Sequence, residues 1–188
     1  MSEEKALLRE QARKHRTLTD TRDEDIEAAT ALFFDTIQPK ENQIIGAYWP
    51  KGREFDPTHI LEQALKKDIK CALPKVENDS RILKFIHWSQ DSKLTKGAYG
   101  IMEPETGEEV EPDILIVPML AFDRKGYRLG QGGGYYDATL EHYRAKKAIQ
   151  AVGVAFASQA VLFTLPAEEH DQKMDWIITP QGITSFKD

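Results

Sequence analysis

Four glycines fall within five residues in the run Gly130-Gln131-Gly132-Gly133-Gly134. Arg128 precedes this run, and Tyr135-Tyr136-Asp137 follows it. Glycine has no Cβ, so the backbone amides of such a run can come close to an anion. The residues behind it open a helix, whose first amides and dipole favour negative charge. Arg128, expected on an exposed loop, adds a planar fork of donors matched to phosphate or carboxylate. Asp137 stands where a carboxylate can hold a Mg²⁺ ion that also touches phosphate. A turn that merely joins two elements would need one or two glycines and no flanking charge. The run has no Gly-Lys-Ser/Thr, so it is not a P-loop, and it lacks the last glycine of a dinucleotide fingerprint. On residues alone it reads as an anion or nucleotide site.

A second group of cations lies near the start of the chain. Lys5 and Arg9 are four apart, which puts them on one face of a helix, and Arg13 continues that face. They belong to a local basic cluster with Lys14, His15 and Arg16. Spacing alone favours a solvated helix face for them. His59, His87 and His142 have no metal-ligand spacing and no cysteine beside them. No Ser/His/Asp arrangement is visible either.

The elements that must hold these residues alternate between helix and strand. Residues 5–14 are good helix formers without Gly or Pro. Thr21-Arg22-Asp23-Glu24 has the form of a capping box, and Ile26, Ala29, Phe33 and Ile37 recur behind it at helical spacing. Asp56-Pro57 reads as an N-cap followed by proline at the first helical position, with Ile60, Leu61, Ala64 and Leu65 on one face. Residues 135–146 are a further predicted helix. Strands are predicted over 43–49, 70–73, 82–88, 114–120, 149–156 and 175–179. The run 114–120 is almost wholly apolar, the pattern of a strand buried on both faces. Residues 93–111, rich in Gly, Pro and acid, read as an extended loop. The expected fold class is α/β, a three-layer sandwich with a mostly parallel central sheet flanked by helices, and residues 1–188 are expected to form one domain.

A chain of 188 residues buries roughly 70% of its unfolded surface and needs no disulfide or metal staple. Cys71 is the only cysteine, so no intramolecular disulfide can form. It is expected to be a buried small residue in a reducing compartment. The acidic N-terminus has no apolar core, unlike a signal peptide. The longest apolar run, 114–122, contains Pro118 and is too short to span a bilayer. The expected location is therefore the cytoplasm, without membrane contact. A net charge of −6 argues against a nucleic-acid partner.

The sequence Pro118-Met119-Leu120-Ala121-Phe122-Asp123, then Gly126 and Arg128-Leu129-Gly130 through Asp137, resembles the signature of the 5-formyltetrahydrofolate cyclo-ligases. The resemblance continues in Lys5-x-x-Leu8-Arg9, Tyr48-Trp49-Pro50 with Glu54, and Tyr99-Gly100-Ile101-x-Glu103-Pro104. It also covers Gly153-Val154-Ala155-Phe156, Gln159, Leu165-Pro166, His170-Asp171 and Asp175. There are departures: Gln131 stands where some members are basic, Gly133 where others carry lysine, and Met119 where a small residue is common. The resemblance implies conversion of 5-formyltetrahydrofolate and ATP to 5,10-methenyltetrahydrofolate, ADP and phosphate, with Mg²⁺ as cofactor. It implies small-molecule partners only, ATP and the folate, which can carry a polyglutamate tail, and the chain is expected to act as a monomer.

The roles implied follow residue by residue. Lys5, Arg9, Arg128, Gly130, Gln131, Gly132, Gly133, Gly134, Tyr135 and Tyr136 would bind ATP phosphates, with Arg128 the catalytic group and Tyr136 equally placed for the core. Trp49, Glu54, Gln131 and Tyr135 would contact the folate. Asp137 would hold Mg²⁺, with Asp175 as a second carboxylate. His170-Asp171 is expected to be structural. Two other readings stay open: a different enzyme on a similar scaffold, such as a sugar-phosphate isomerase or CoA-transferase relative, and a non-catalytic folate- or nucleotide-binding homologue. The first lacks a glutamate nucleophile motif here; the second is opposed only by the intact set of Lys5, Arg9, Arg128 and Asp137.

Overall fold

The computed structural model describes residues 3–22 and 24–187. An eight-stranded sheet forms its centre, in the order β12-β11-β10-β7-β1-β2-β3-β6. These strands are β1 (Ile44–Gly46), β2 (Lys70–Lys75), β3 (Lys84–Trp88), β6 (Glu109–Val110), β7 (Ile114–Val117), β10 (Gln150–Val154), β11 (Trp176–Thr179) and β12 (Gly182–Ser185). The five inner strands, β11, β10, β7, β1 and β2, run parallel. β12, β3 and β6 are added antiparallel at the edges. The mostly parallel α/β sheet expected from the sequence is the one observed.

Alternation along each inner strand explains why both faces are covered. Ile114 and Ile116 join Cys71, Leu73, Val152 and Val154 on one face. That face packs against α2 (Ile26–Ile37) and α3 (Thr58–Leu65) through residues such as Phe33, Ile60 and Leu61. Leu115 and Val117 join Ala72, Ala151 and Ile177 on the other face, which packs against α4 (Tyr135–Arg144) through Leu140 and Tyr143. Buried on both sides, the strands carry continuous apolar runs. Met119 fits because residue 153 is glycine: a Cβ there would lie 2.2 Å from the Met119 methyl carbon.

α1 (Glu3–Leu18) belongs to neither layer. Its Leu8 and Ala12 rest on Ala121, Leu129 and Leu165, at a two-stranded hairpin of β8 (Ala121–Phe122) and β9 (Arg128–Leu129). The predicted capping box is not formed as read. Asp25 caps α2 by accepting from the Ala28 amide at 3.1 Å, and Glu24 instead accepts from the Ala157 amide at 3.0 Å. Residues 93–111 are not a plain loop. They contain the antiparallel pair β4 (Leu94–Lys96) and β5 (Met102–Pro104), a 3₁₀ turn over Ala98–Gly100, and β6. Among the described residues no helix is long and apolar enough to cross a membrane.

Candidate functional site

The chain runs from β1 outward to β2 on one side, and from β7 outward to β10 and β11 on the other. The direction of travel therefore reverses between β1 and β7, and ligands of open α/β sheets bind outside the carboxyl ends of strands at such a point. A cavity of about 980 Å³ lies there. Its floor is Tyr48 and Trp49 after β1, Pro74 and Val76 around the end of β2, and Pro118 to Leu120 after β7.

The glycine run forms one wall. Gly132 has φ +108° and Gly134 φ +71°, conformations that an L side chain rarely adopts. Gly134 turns the chain into α4, whose first turn carries Asp137. α1 grips this wall by its carbonyls. Arg9 Nε donates to the Gly130 carbonyl at 2.9 Å. Arg13 donates through Nη2 to the Gln131 carbonyl and through Nε to the Gln131 side chain, both at 3.1 Å. Because N–H and C=O point oppositely across a trans peptide, the amides of Gln131 and Gly132 are turned away from α1.

The cations of the cavity are prepared for an anion. Arg9 Nη1 is buried without a hydrogen-bond partner, an orphan donor whose desolvation is costly unless a ligand satisfies it. Seven Lys or Arg side chains and six carboxylates line the cavity, a positive balance in a chain of net charge −6. Lys5 is only 5% exposed. Its ammonium lies 3.3 Å from Glu168 and donates to Asp171. Burial pushes the Asp171 carboxyl up, but the Glu168 amide and Lys5 outweigh it and hold the group below the ordinary carboxylate range.

Arg128, on β9, has a side chain only 4% exposed, contrary to the exposed loop expected. Its Nη2 lies 3.0 Å from Asp137 Oδ1, and its Nη1 donates to the Gln172 carbonyl at 3.0 Å. Asp137 Oδ1 also accepts from the Gln172 amide at 2.9 Å. Both contacts use Oδ1, which leaves Oδ2 as a hard oxygen donor for a cation. Asp137 therefore fits the single carboxylate that Mg²⁺ takes alongside substrate phosphates. Asp175 does not join it. It lies outside the cavity, where its carboxylate accepts from the Ala151 amide at 2.6 Å and from Arg144 at 3.3 Å. Asp175 is therefore not a second metal carboxylate beside Asp137, contrary to expectation.

On the opposite wall, Glu54 accepts from the Lys51 amide at 2.9 Å and lies 3.9 Å from Arg16 Nη1. Burial pushes up the phenols of Tyr48 and Tyr136, and the Glu54 carboxylate pushes both further. Tyr136 packs against both core faces while lining the cavity, so it serves core and site together. Trp49 meets Trp88 edge-on at 6.3 Å. Tyr135 reaches across the mouth to Tyr99, hydroxyl to hydroxyl at 2.9 Å, and that hydrogen bond is the main cause of the raised Tyr135 phenol.

All the predicted site residues except Asp175 line this one cavity. Sequence reading missed Arg16, Arg81, Tyr99 and Glu168. The signal for Arg16 was present: Lys5, Arg9, Arg13 and Arg16 step by four, four and three along α1, a single helical face. Asp171, expected to be structural, pairs with Lys5 and also lines the cavity.

The chain matches the 5-formyltetrahydrofolate cyclo-ligase family over residues 1–180. It is 33% identical over 150 residues to the 5-formyltetrahydrofolate cyclo-ligase of Mycolicibacterium smegmatis, covering 75% of this chain and 76% of that protein. It is 35% identical over 136 residues to the protein of that name from Escherichia coli K12, covering 69% and 74%. The structure of Aquifex aeolicus 5,10-methenyltetrahydrofolate synthetase superposes with a TM-score of 0.81 at 30% identity, over 98% of this chain and 93% of that one. The Mycoplasma pneumoniae synthetase, at 23% identity and a TM-score of 0.72, shares the fold over 94% of this chain and 98% of that one. The chain belongs to the 5-formyltetrahydrofolate cyclo-ligase family.

Proposed function

We propose that this protein closes 5-formyltetrahydrofolate to 5,10-methenyltetrahydrofolate, using ATP and Mg²⁺ and releasing ADP and phosphate. The observation that carries the reading is convergence. The Lys5–Arg9 face of α1, the glycine run with Arg128 and Asp137, and the Trp49–Glu54 wall all border one cavity of about 980 Å³, in a chain of this family.

A formamide oxygen is a poor leaving group, and phosphoryl transfer to it activates the formyl carbon toward the neighbouring N10 amine. Ring closure and loss of phosphate follow. The protein's share is alignment and charge stabilisation rather than covalent chemistry. Arg9, with its orphan Nη1, and Lys5 neutralise phosphate charge from α1. The glycine-run amides and the start of α4 hold the phosphates from the other side. Arg128 stabilises the transferring group. Asp137 would hold Mg²⁺, which would supply further neutralisation of phosphate charge. Glu54 accepts from the pterin ring nitrogens and amino group, and Trp49 flanks the ring. Tyr136, kept protonated by burial, acts as a neutral hydrogen-bonding group there, while Tyr48, also kept protonated, donates to the Phe55 carbonyl and braces that wall. We further read residues 1–188 as one α/β unit working in the cytoplasm, where a thiol such as Cys71 stays reduced.

The test is near-ultraviolet absorbance, where the methenyl product absorbs and the formyl substrate does not. Protein, 5-formyltetrahydrofolate, Mg²⁺ and ATP should give a rise that needs both ATP and Mg²⁺. Folded protein that binds both ligands but gives no rise would make it a binding homologue.

A further inference from the structure

Asp175 lies outside the cavity, yet hydrogen bonds connect it to the site through a single residue, Gln172. Its Oδ2 accepts from the Ala151 amide at 2.6 Å and from Arg144 Nη2 at 3.3 Å. Arg144, the last residue of α4, also donates through Nη1 to the Gln172 side-chain oxygen and through Nη2 to the Lys173 carbonyl, both at 2.9 Å. The main chain of Gln172 then faces the site. Its amide donates to Asp137 Oδ1 at 2.9 Å and its carbonyl accepts from Arg128 Nη1 at 3.0 Å. Residues 166–175 contain no helix or strand. Backbone bonds hold the segment on either side, from the Asp171 amide to the Glu168 carbonyl at 3.0 Å and from the Met174 amide to the Gly126 carbonyl at 2.9 Å, but the Gln172 amide and carbonyl meet the side chains of Asp137 and Arg128.

We propose that Arg144, itself held by Asp175, is a positioning residue: it fixes Gln172, whose main-chain amide and carbonyl orient Asp137 and Arg128, without touching substrate. The inference rests on the reading of Asp137 and Arg128 given under the proposed function. A guanidinium suits the task because its planar fork reaches Gln172 and Lys173 at once. A merely structural role would be that of a cation at the carboxyl end of α4, which any positive side chain satisfies. Lysine therefore separates the two roles, since it keeps the charge and loses the fork.

The experiment compares wild type, Arg144→Lys, Asp175→Asn, the double variant and Gln172→Ala. It records kcat, KM, thermal midpoint and, by calorimetry, ATP affinity with and without Mg²⁺. Arg144→Lys should keep its midpoint and its KM for the folate while kcat falls about tenfold or more, the usual size for a group that orients a ligand-binding one. The Mg²⁺-dependent gain in ATP affinity should shrink with it. Asp175→Asn should move the same quantities less, and the double variant should be no worse than Arg144→Lys, because both act through one residue, Gln172. Gln172→Ala, which keeps the main-chain bonds, should fall between Arg144→Lys and wild type. Wild-type kcat and binding in Arg144→Lys would overturn the inference. So would additive losses, which would mean that Asp175 reaches the metal by its own route. A wild-type protein that binds MgATP without turnover would defeat the activity reading alone, and calorimetry on the variants would then decide this one. A wild type that binds no nucleotide would defeat both.

Discussion

Arg128 sits where a charge is both useful and costly. Its side chain is 4% exposed and paired with Asp137, which keeps 19% exposure. Removing one partner of a buried pair leaves the other uncompensated, at a cost of roughly 3–5 kcal/mol when both are fully buried. With Asp137 still in reach of water and held by the Gln172 amide, Arg128→Ala should cost about 2 kcal/mol, well below that limit. Turnover should fall by about a hundredfold or more if Arg128 stabilises transferring charge, as with other donors aimed at a transition state. Denaturant unfolding and kcat on the folded variant test the two separately, and a kcat near wild type would remove Arg128 from the chemistry. The local sequence made most of this site legible, because Arg128 to Asp137 are contiguous and their chemistry depends on adjacency. Asp175 was misplaced because its partners, Ala151 and Arg144, are 24 and 31 residues away, and nothing local marks them.

At the level of the element, α1 is the part of the site with the least packing to hold it. Only Leu8 and Ala12 are packed on the small β8–β9 cluster, so its docking depends on polar contacts: Arg9 and Arg13 to the glycine run, and Lys5 to Glu168 and Asp171. The Asp171 carboxyl is held below its ordinary value. A lowered carboxylate contributes stability above its unfolded value of about 3.9, and that contribution is lost as pH falls through the lower folded value. The thermal midpoints of wild type and Asp171→Asn should therefore differ by a constant amount above about pH 5 and converge only as pH falls through the lower folded value of Asp171. A gap that persists into strong acid would place the stabilisation elsewhere. The helix was legible in the residues of α1 but its docking was not. Periodicity likewise located α2, yet not its cap, since Thr21 and Asp25 are both cap-competent and Glu24 was already committed to Ala157 across the fold. β4, β5, β6, β8 and β9 escaped because strands of two or three residues carry no period to read, and β12 because Ile183 is the one large apolar residue in its four.

On the scale of the whole molecule, the apolar run of β7 announced a doubly covered strand, but no local signal announces that β7 lies between β1 and β10. Strand order is fixed by contacts between residues far apart in sequence, and the reversal between β1 and β7 that creates the cavity is a property of that order. Cys71 makes this global arrangement measurable. It lies on β2 with no exposure, packed on the α2–α3 face, and its Sγ is 3.6 Å from the Leu61 carbonyl of α3. Burial pushes its thiol up to about 12, so at pH 8 the folded protein presents essentially no thiolate, which is the reactive form. A thiol with a raised folded value also makes stability fall as pH rises above its unfolded value of about 8.5. Labelling by a disulfide reagent at pH 8 should thus be slow and single-phase. Its rate should climb with denaturant along the same line as global unfolding, because a thiol at the middle of the sheet is freed only when α2 and α3 leave. Rapid labelling of one thiol per chain in native buffer would mean that this layer opens without the rest. The two faces would then be separate cooperative units, and the cavity at the β1–β7 reversal would rest on the α4 face alone.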